Sequence, residues 1–358
     1  MSELKKHRNG EIELLRFVFC FAIICLHGEM KFRGGFLGVE FFYMVTGAFM
    51  AKSLSGDDIN ANESYKITFQ KSKNFIIYYI KKIYPFFLPA TLIGTILAFL
   101  STRKLYIVLY AFGDLLFLQN FGFPAACATG VVWYLSSLLF GIAILYPVAR
   151  RYFNVFSVYF CPLIFLLIVG FFIKIYGTIE VPCEWYGVIN TGFLRAIADI
   201  SLGIFVYIIS ENLRRFNKLL IYRIIFSIME LVFFVLIILY MAFGVESWFV
   251  YDGYIVIIMA FALSVALSEI SLWNKILSKS FFSSLGKASF FLFLNHYCWF
   301  KWLEPALNNI GLIIDNNLFK LLCIEFTIVS SILTWFLGLK LKKIYFFLRT
   351  KSNKYENK

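Results

Sequence analysis

Residues 163–173 read Leu163-Ile164-Phe165-Leu166-Leu167-Ile168-Val169-Gly170-Phe171-Phe172-Ile173, an apolar run broken only by one glycine. A transmembrane barrel strand alternates apolar and polar residues over about ten positions. This run does not alternate, so it reads as part of a helix with apolar surroundings. The rest of the chain is of the same kind. Of its 358 residues 61% are hydrophobic and 15% charged, against roughly 45–50% and about 25% in soluble proteins. That excess cannot be hidden in one core, which excludes a soluble enzyme. With 44 Phe, 21 Tyr and only 7 Pro, disorder and collagen are excluded as well. The expected fold is all-α, a polytopic helical membrane protein.

A crossing needs about 20 mostly apolar residues. Ten segments qualify, at 11–28, 36–54, 83–101, 131–149, 154–174, 191–210, 222–243, 249–269, 285–303 and 318–341. An eleventh stretch, Tyr106–Asn120, carries Asp114, Gln119 and Asn120 and reads as an amphipathic helix at the surface. About ten transmembrane helices put both termini on one side. With that side cytoplasmic, the inner segments hold 25 of the 34 Lys and Arg residues and the outer segments seven; Arg16 and Arg195 fall within spans. This is the positive-inside pattern, and it accounts for the net charge of +13 without nucleic acid as a partner. The organisation expected is a cytoplasmic segment 1–10, a transmembrane domain 11–341 and a basic, frayed cytoplasmic tail 342–358. Lys5, Lys6 and Arg8 ahead of an apolar run imitate a signal peptide, but Glu11, Glu13 and Arg16 interrupt it and no small-residue cleavage site follows. The run reads as an uncleaved first span. The seven cysteines form no CxxC pair, and no metal site is expected; Cys127 and Cys183 in outer loops leave a disulfide open without requiring it.

Charged groups inside spans cost about 2.5–3.5 kcal/mol each on insertion scales, so they face partners or cavities. Here they are Glu13, Arg16, His27, Glu40, Arg195, Asp199, Glu230, His296 and Glu325. Arg195 and Asp199 lie four apart on one helical face, as an ion pair would. Arg16 and His27 are eleven residues apart, which returns to within about 20° of the same face at roughly 16 Å along the axis. The first helix therefore carries a fixed cation toward the cytoplasm and a titratable imidazole toward the outside. A lone histidine in such a run is more often a packed core residue than a functional one.

Four motifs add to this. The first is Ile12-Glu13-Leu14-Leu15-Arg16 with His27 eleven positions beyond the arginine. The second is the run from Gly35 to Gly47, with Gly38-Val39-Glu40-Phe41-Phe42 at its centre. The third is Trp133-Tyr134-Leu135-Ser136, with Tyr146-Pro147 closing the span. The fourth is Leu285-Gly286, Ser289 and Leu294-Asn295-His296. In this order and over nearly the whole length the chain resembles the acyltransferase family 3 membrane proteins, which O-acylate cell-surface glycans. Two departures stand out. Leu138 occupies a position where the family commonly has Glu. Its Arg-x-x-Arg before a proline is here Lys81-Lys82 before Pro85, which loses bidentate guanidinium recognition.

The resemblance implies an acyl-CoA donor, acetyl-CoA foremost, as a cytoplasmic co-substrate, with no permanently bound cofactor. The acceptor it implies is a surface polysaccharide or lipid-linked saccharide outside, and the enzyme is a membrane-bound O-acyltransferase in the inner membrane of a bacterial cell. Arg16, Lys81 and Lys82 would hold the donor, and His27, the family's histidine, would act as base or acyl carrier. Beside that, Glu40 is expected one turn into the second span, level with His27, either orienting the imidazole or pairing with Lys31 or Arg33. Glu13, Trp133, Arg195, Asp199, Ser289, His296 and Glu325 are candidate pore-lining residues. The competing reading is a glycan exporter, since intramembrane charges also mark translocation paths; the repeated halves and broken helices of transporters are not visible in the sequence.

Overall fold

In a hydrocarbon medium the backbone must satisfy its own hydrogen bonds, so apolar segments of this length become helices. The computed structural model describes residues 9–56, 63–181, 183–244 and 251–356, with side chains up to residue 348. Among the described residues, each of the ten apolar segments lies for the most part in one helix. They are α1 (Gly10–His27), α2 (Leu37–Ser55), α3 (Tyr65–Thr102), α5 (Val132–Val155), α6 (Cys161–Tyr176), α7 (Thr191–Leu213), α8 (Leu220–Phe243), α9 (Asp252–Ser268), α11 (Ser280–Asn308) and α12 (Asn316–Glu356). Short helices α4 (Tyr106–Leu115) and α10 (Trp273–Leu277), a hairpin of two-residue strands, β1 (Trp185–Tyr186) with β2 (Ile189–Asn190), 3₁₀ turns at Arg33–Phe36, Gln119–Phe121 and Arg214–Lys218 and a π turn at Phe156–Phe160 complete the list among the described residues. The chain is an all-α polytopic membrane protein. Among the described residues six stretches are long and apolar enough to cross a membrane, one of them Val132–Tyr176, which contains both α5 and α6.

Three boundaries differ from expectation. Helix α3 begins at Tyr65, well before residue 83. The expected frayed tail continues α12 as helix to Glu356. Helix α4 ends at Leu115, and at ten residues, about 15 Å, it is too short to cross a core about 30 Å thick. The first eight residues lie outside the described ones. Among the described residues no two cysteines are joined by a disulfide.

The chain divides into two compact units, residues 1–73 with 137–289, and residues 74–136 with 290–358. In the first, α2 and α7 approach closely where Gly47 and Gly203 meet: a Cβ on Gly47 would overlap the Ile200 carbonyl, and one on Gly203 the Met44 carbonyl. Helix α1 is capped by the Asn9 side chain, which accepts from the amides of Glu11 and Ile12. Its middle is fixed to α2 by Phe19 stacked on Phe41, 4.2 Å between centroids.

In the second unit the loop after α4 is held by Asp114. Its carboxylate accepts from the amides of Cys127 and Ala128 at 3.1 and 3.0 Å. The Trp302 indole N–H donates to the Ala128 carbonyl. Asn309, just after α11, donates to the carbonyls of Leu100 and Ser101 at the end of α3.

Candidate functional site

Helix α1 runs unbroken from Gly10 to His27, so the helical arithmetic that joins Arg16 to His27 holds in the folded chain. At the inner end Arg16 Nη1 lies 3.6 Å from Glu13 Oε2, one turn away, and a quarter of the Arg16 side chain is exposed. Glu13 is buried because α11 makes room for it. Gly286 stands opposite, and a Cβ there would overlap the Glu13 carboxylate. Three residues on, the Ser289 hydroxyl donates to the Gly286 carbonyl at 2.9 Å, and the Ser289 carbonyl accepts from the Cys20 thiol at 3.2 Å. The Gly-x-x-Ser element of the fourth motif is thus the seam between α1 and α11. The sequence offers the spacing but not this role, which depends on which helix lies opposite. At the outer end of α1, His27 is exposed.

Glu40 sits in the first turn of α2 and is buried. Its Oε1 accepts from Arg195 Nε on α7 at 2.5 Å, and Arg195 Nη2 reaches toward the Phe36 carbonyl at 3.5 Å. Asp199 is buried one turn along α7 from Arg195 and within the field of both charges. Glu40, Arg195 and Asp199 thus form one buried group, with the guanidinium serving the carboxylate of α2. This corrects the expected level of Glu40. Arg33–Phe36 is a turn of 3₁₀ helix that packs back toward α1, where a Cβ on Gly35 would overlap the Ala22 carbonyl. Since Phe41 stacks on Phe19, Glu40 stands about two turns, roughly 12 Å, deeper along α1 than His27. Its partner is Arg195, not the loop cations Lys31 and Arg33. The second carboxylate oxygen, Oε2, is buried without a hydrogen-bond partner among the described residues.

The remaining candidates belong to the second unit. Lys81 and Lys82 are exposed on α3, ahead of Pro85. Trp133 is half-buried, and its carbonyl accepts from the Asn120 side chain at 3.0 Å. His296 is buried, with Nδ1 donating to the Phe293 carbonyl of its own helix at 2.8 Å. Glu325 is exposed on α12. Leu138, in the first unit, is buried as an apolar residue where the resemblance leads one to expect a carboxylate.

The structure brings together Glu13 with Arg16, and Glu40 with Arg195 and Asp199. It sets His27 on the face of Arg16. Two residues that the motifs did not mark, Phe86 and Lys342, meet at the crossing of α3 and α12, where the Lys342 ammonium lies 4.5 Å from the ring centroid.

Comparison with curated proteins and with solved structures returned no match. A family model described as an acyltransferase domain matches residues 9–336. That range begins at the cap of α1, takes in the charged face of that helix and the group around Arg195, and runs into α12. The chain belongs to the acyltransferase family 3, and its activity is acyl transfer.

Proposed function

We propose that this protein transfers a short acyl group, acetyl in the first instance, from cytoplasmic acyl-CoA to a hydroxyl of a surface polysaccharide or lipid-linked saccharide. The observation that carries the reading is the face of α1, with an exposed imidazole at its outer end and a partly exposed guanidinium at its inner end. A neutral imidazole nitrogen can accept the proton of an attacking hydroxyl. In the general-base form His27 removes the hydroxyl proton as the oxygen attacks the thioester carbonyl. The C–S bond then breaks, and coenzyme A leaves as thiolate and takes up a proton. In the carrier form the imidazole nitrogen attacks the thioester first and coenzyme A leaves as thiolate; the hydroxyl then attacks the acyl-imidazole, the C–N bond breaks, and the hydroxyl proton is released to the imidazole or the thiolate. Arg16, Lys81 and Lys82 are cations for the anionic donor, and Glu13 holds the Arg16 guanidinium in place. The Lys and Arg distribution supports a cytoplasmic donor side, and the inner membrane of a bacterial cell is the location that the family resemblance implies.

The test uses cells carrying wild type, His27→Ala and His27→Gln, with O-acyl groups counted per unit of surface glycan and normalised to protein in the membrane. Both variants should lose acylation by at least about a hundredfold, in keeping with general-base contributions. Near-normal acylation by His27→Gln would remove the catalytic role. A fall in total surface glycan, with acyl content per glycan unchanged, would point to export instead.

A further inference from the structure

In the second unit α12 packs on α3 at one crossing. A Cβ on Gly338 would overlap the Phe86 ring, and one turn further along α12 the Lys342 ammonium lies 4.5 Å from the centroid of that ring. Phe86 is also met edge-on by Phe290 and Phe291 of α11, at 6.1 and 5.1 Å. One turn before Phe86 on α3 stands Lys82, its ammonium 6.0 Å from the rings of both Tyr78 and Tyr79. The two helices run antiparallel: the far end of α3 is bonded by Asn309, a few residues before α12 begins. Lys342 follows Gly338 and Lys82 precedes Phe86, so both cations lie on the same side of the crossing. The Lys and Arg distribution reads that side as cytoplasmic.

Lys342 is half-buried. Among the described residues it has an aromatic face beside it and no carboxylate in ion-pair contact. A cation–π contact attracts an ammonium but leaves its charge and its three donors available. A half-buried cation in that state favours an anion, and a second cation one turn away on the neighbouring helix favours one of higher charge. The exposed Tyr78 ring adds a stacking face of the kind that bases use.

We propose that Lys342 and Lys82 form a phosphate-binding site at the crossing of α3 and α12, and that it takes the phosphates of the acyl donor's nucleotide portion. The inference rests on the acyl-CoA reading above. It extends that reading to a residue beyond the 9–336 family match.

The full-length protein in lipid nanodiscs tests it, with labelled coenzyme A in equilibrium dialysis. Lys342→Met keeps the apolar stem against Phe86 and removes the charge, and Lys342→Arg restores a cation. Lys340→Gln removes a neighbouring charge that sits over Phe336 instead. In discs of phosphatidylcholine alone, Lys342→Met should weaken coenzyme A binding about tenfold and flatten its salt dependence. Lys342→Arg and Lys340→Gln should stay within about twofold of wild type. Equal binding by Lys342→Met and wild type would overturn the proposal. So would equal losses in Lys342→Met and Lys340→Gln, which would mean general basicity. If Lys342→Met differs from wild type only when phosphatidylglycerol is added, the ligand is a lipid phosphate and the proposal fails. Wild type that is folded but does not bind coenzyme A would strike the donor reading itself, a result distinct from a Lys342 variant that binds normally.

Discussion

The ion pair between Glu40 and Arg195 decides what a mutation at either position means. Both groups are buried, so neutralising one strands the other in a medium that cannot solvate it, at a cost of about 3–5 kcal/mol. Glu40→Gln is therefore expected to lower the thermal midpoint of the purified protein, and Arg195→Gln at least as much. The double variant should lose less than the sum of the two, because removing both charges leaves neither unpaired. With Glu40 about two turns deeper than His27, acyl transfer by Glu40→Gln should fall with the amount of folded protein and not per folded molecule. A loss of turnover at unchanged stability would restore a direct role for this carboxylate. The sequence reveals the face shared by Arg16 and His27 because both stand on one unbroken helix, where spacing alone fixes direction. It does not reveal Arg195 as the partner of Glu40, since 155 residues separate them and only the packing of α2 on α7 makes them neighbours.

The same division holds for whole elements. Among the described residues each apolar segment lies mostly in helix, because hydrophobic length is a local property. The early start of α3 is not local, since Tyr65–Lys82 is too polar to announce a span. It is held from outside by Glu63, just before the helix, whose carboxylate accepts from Arg150 Nε and Nη2 at 2.8 and 3.0 Å and from Lys71 at 3.0 Å. Arg151 donates to the Glu63 carbonyl at 3.1 Å and lays its guanidinium 3.9 Å from the centroid of the Tyr65 ring. Arg150 is almost wholly buried, so Glu63→Gln leaves a buried cation short of its counter-charge and should lower the thermal midpoint by several degrees. The Arg150 guanidinium, with help from Lys71 and Thr68, holds the Glu63 pKa down at about 2, below the ordinary glutamate value of about 4.5. A depressed carboxylate pKa gives stability that is complete above about 4.5 and is lost as pH falls toward 2. Melting curves of wild type and Glu63→Gln should therefore converge as pH is lowered from 5 to 3. A gap that stays constant over that range would show that the clamp does not act through the carboxylate's charge.

At the scale of the molecule the open quantity is the number of crossings. The six stretches that meet the length and apolarity needed to cross do not include α1, α9 or α11. For α1 the reason is its charged inner turn, Glu11, Glu13 and Arg16, yet Glu13 is buried against Gly286 of α11 and does not face lipid. Its 18 residues span about 27 Å, close to the hydrocarbon thickness. Helix α9 is shorter, 17 residues or about 25 Å, and is the element on which the count turns. If α9 and α11 cross, seven helices separate Phe123 from Lys343, which puts the two on opposite sides. Reporter fusions at Phe123, Ser278 and Lys343 should then read external, cytoplasmic and cytoplasmic, in agreement with the basic residues at Lys275, Lys279, Lys342 and Lys343. Should α9 return without crossing, both later sites would move to the outside while Phe123 stayed there. That outcome would place the Lys342 site on the wrong face for a cytoplasmic donor, so the fusion at Lys343 tests the topology and the location of the donor site together.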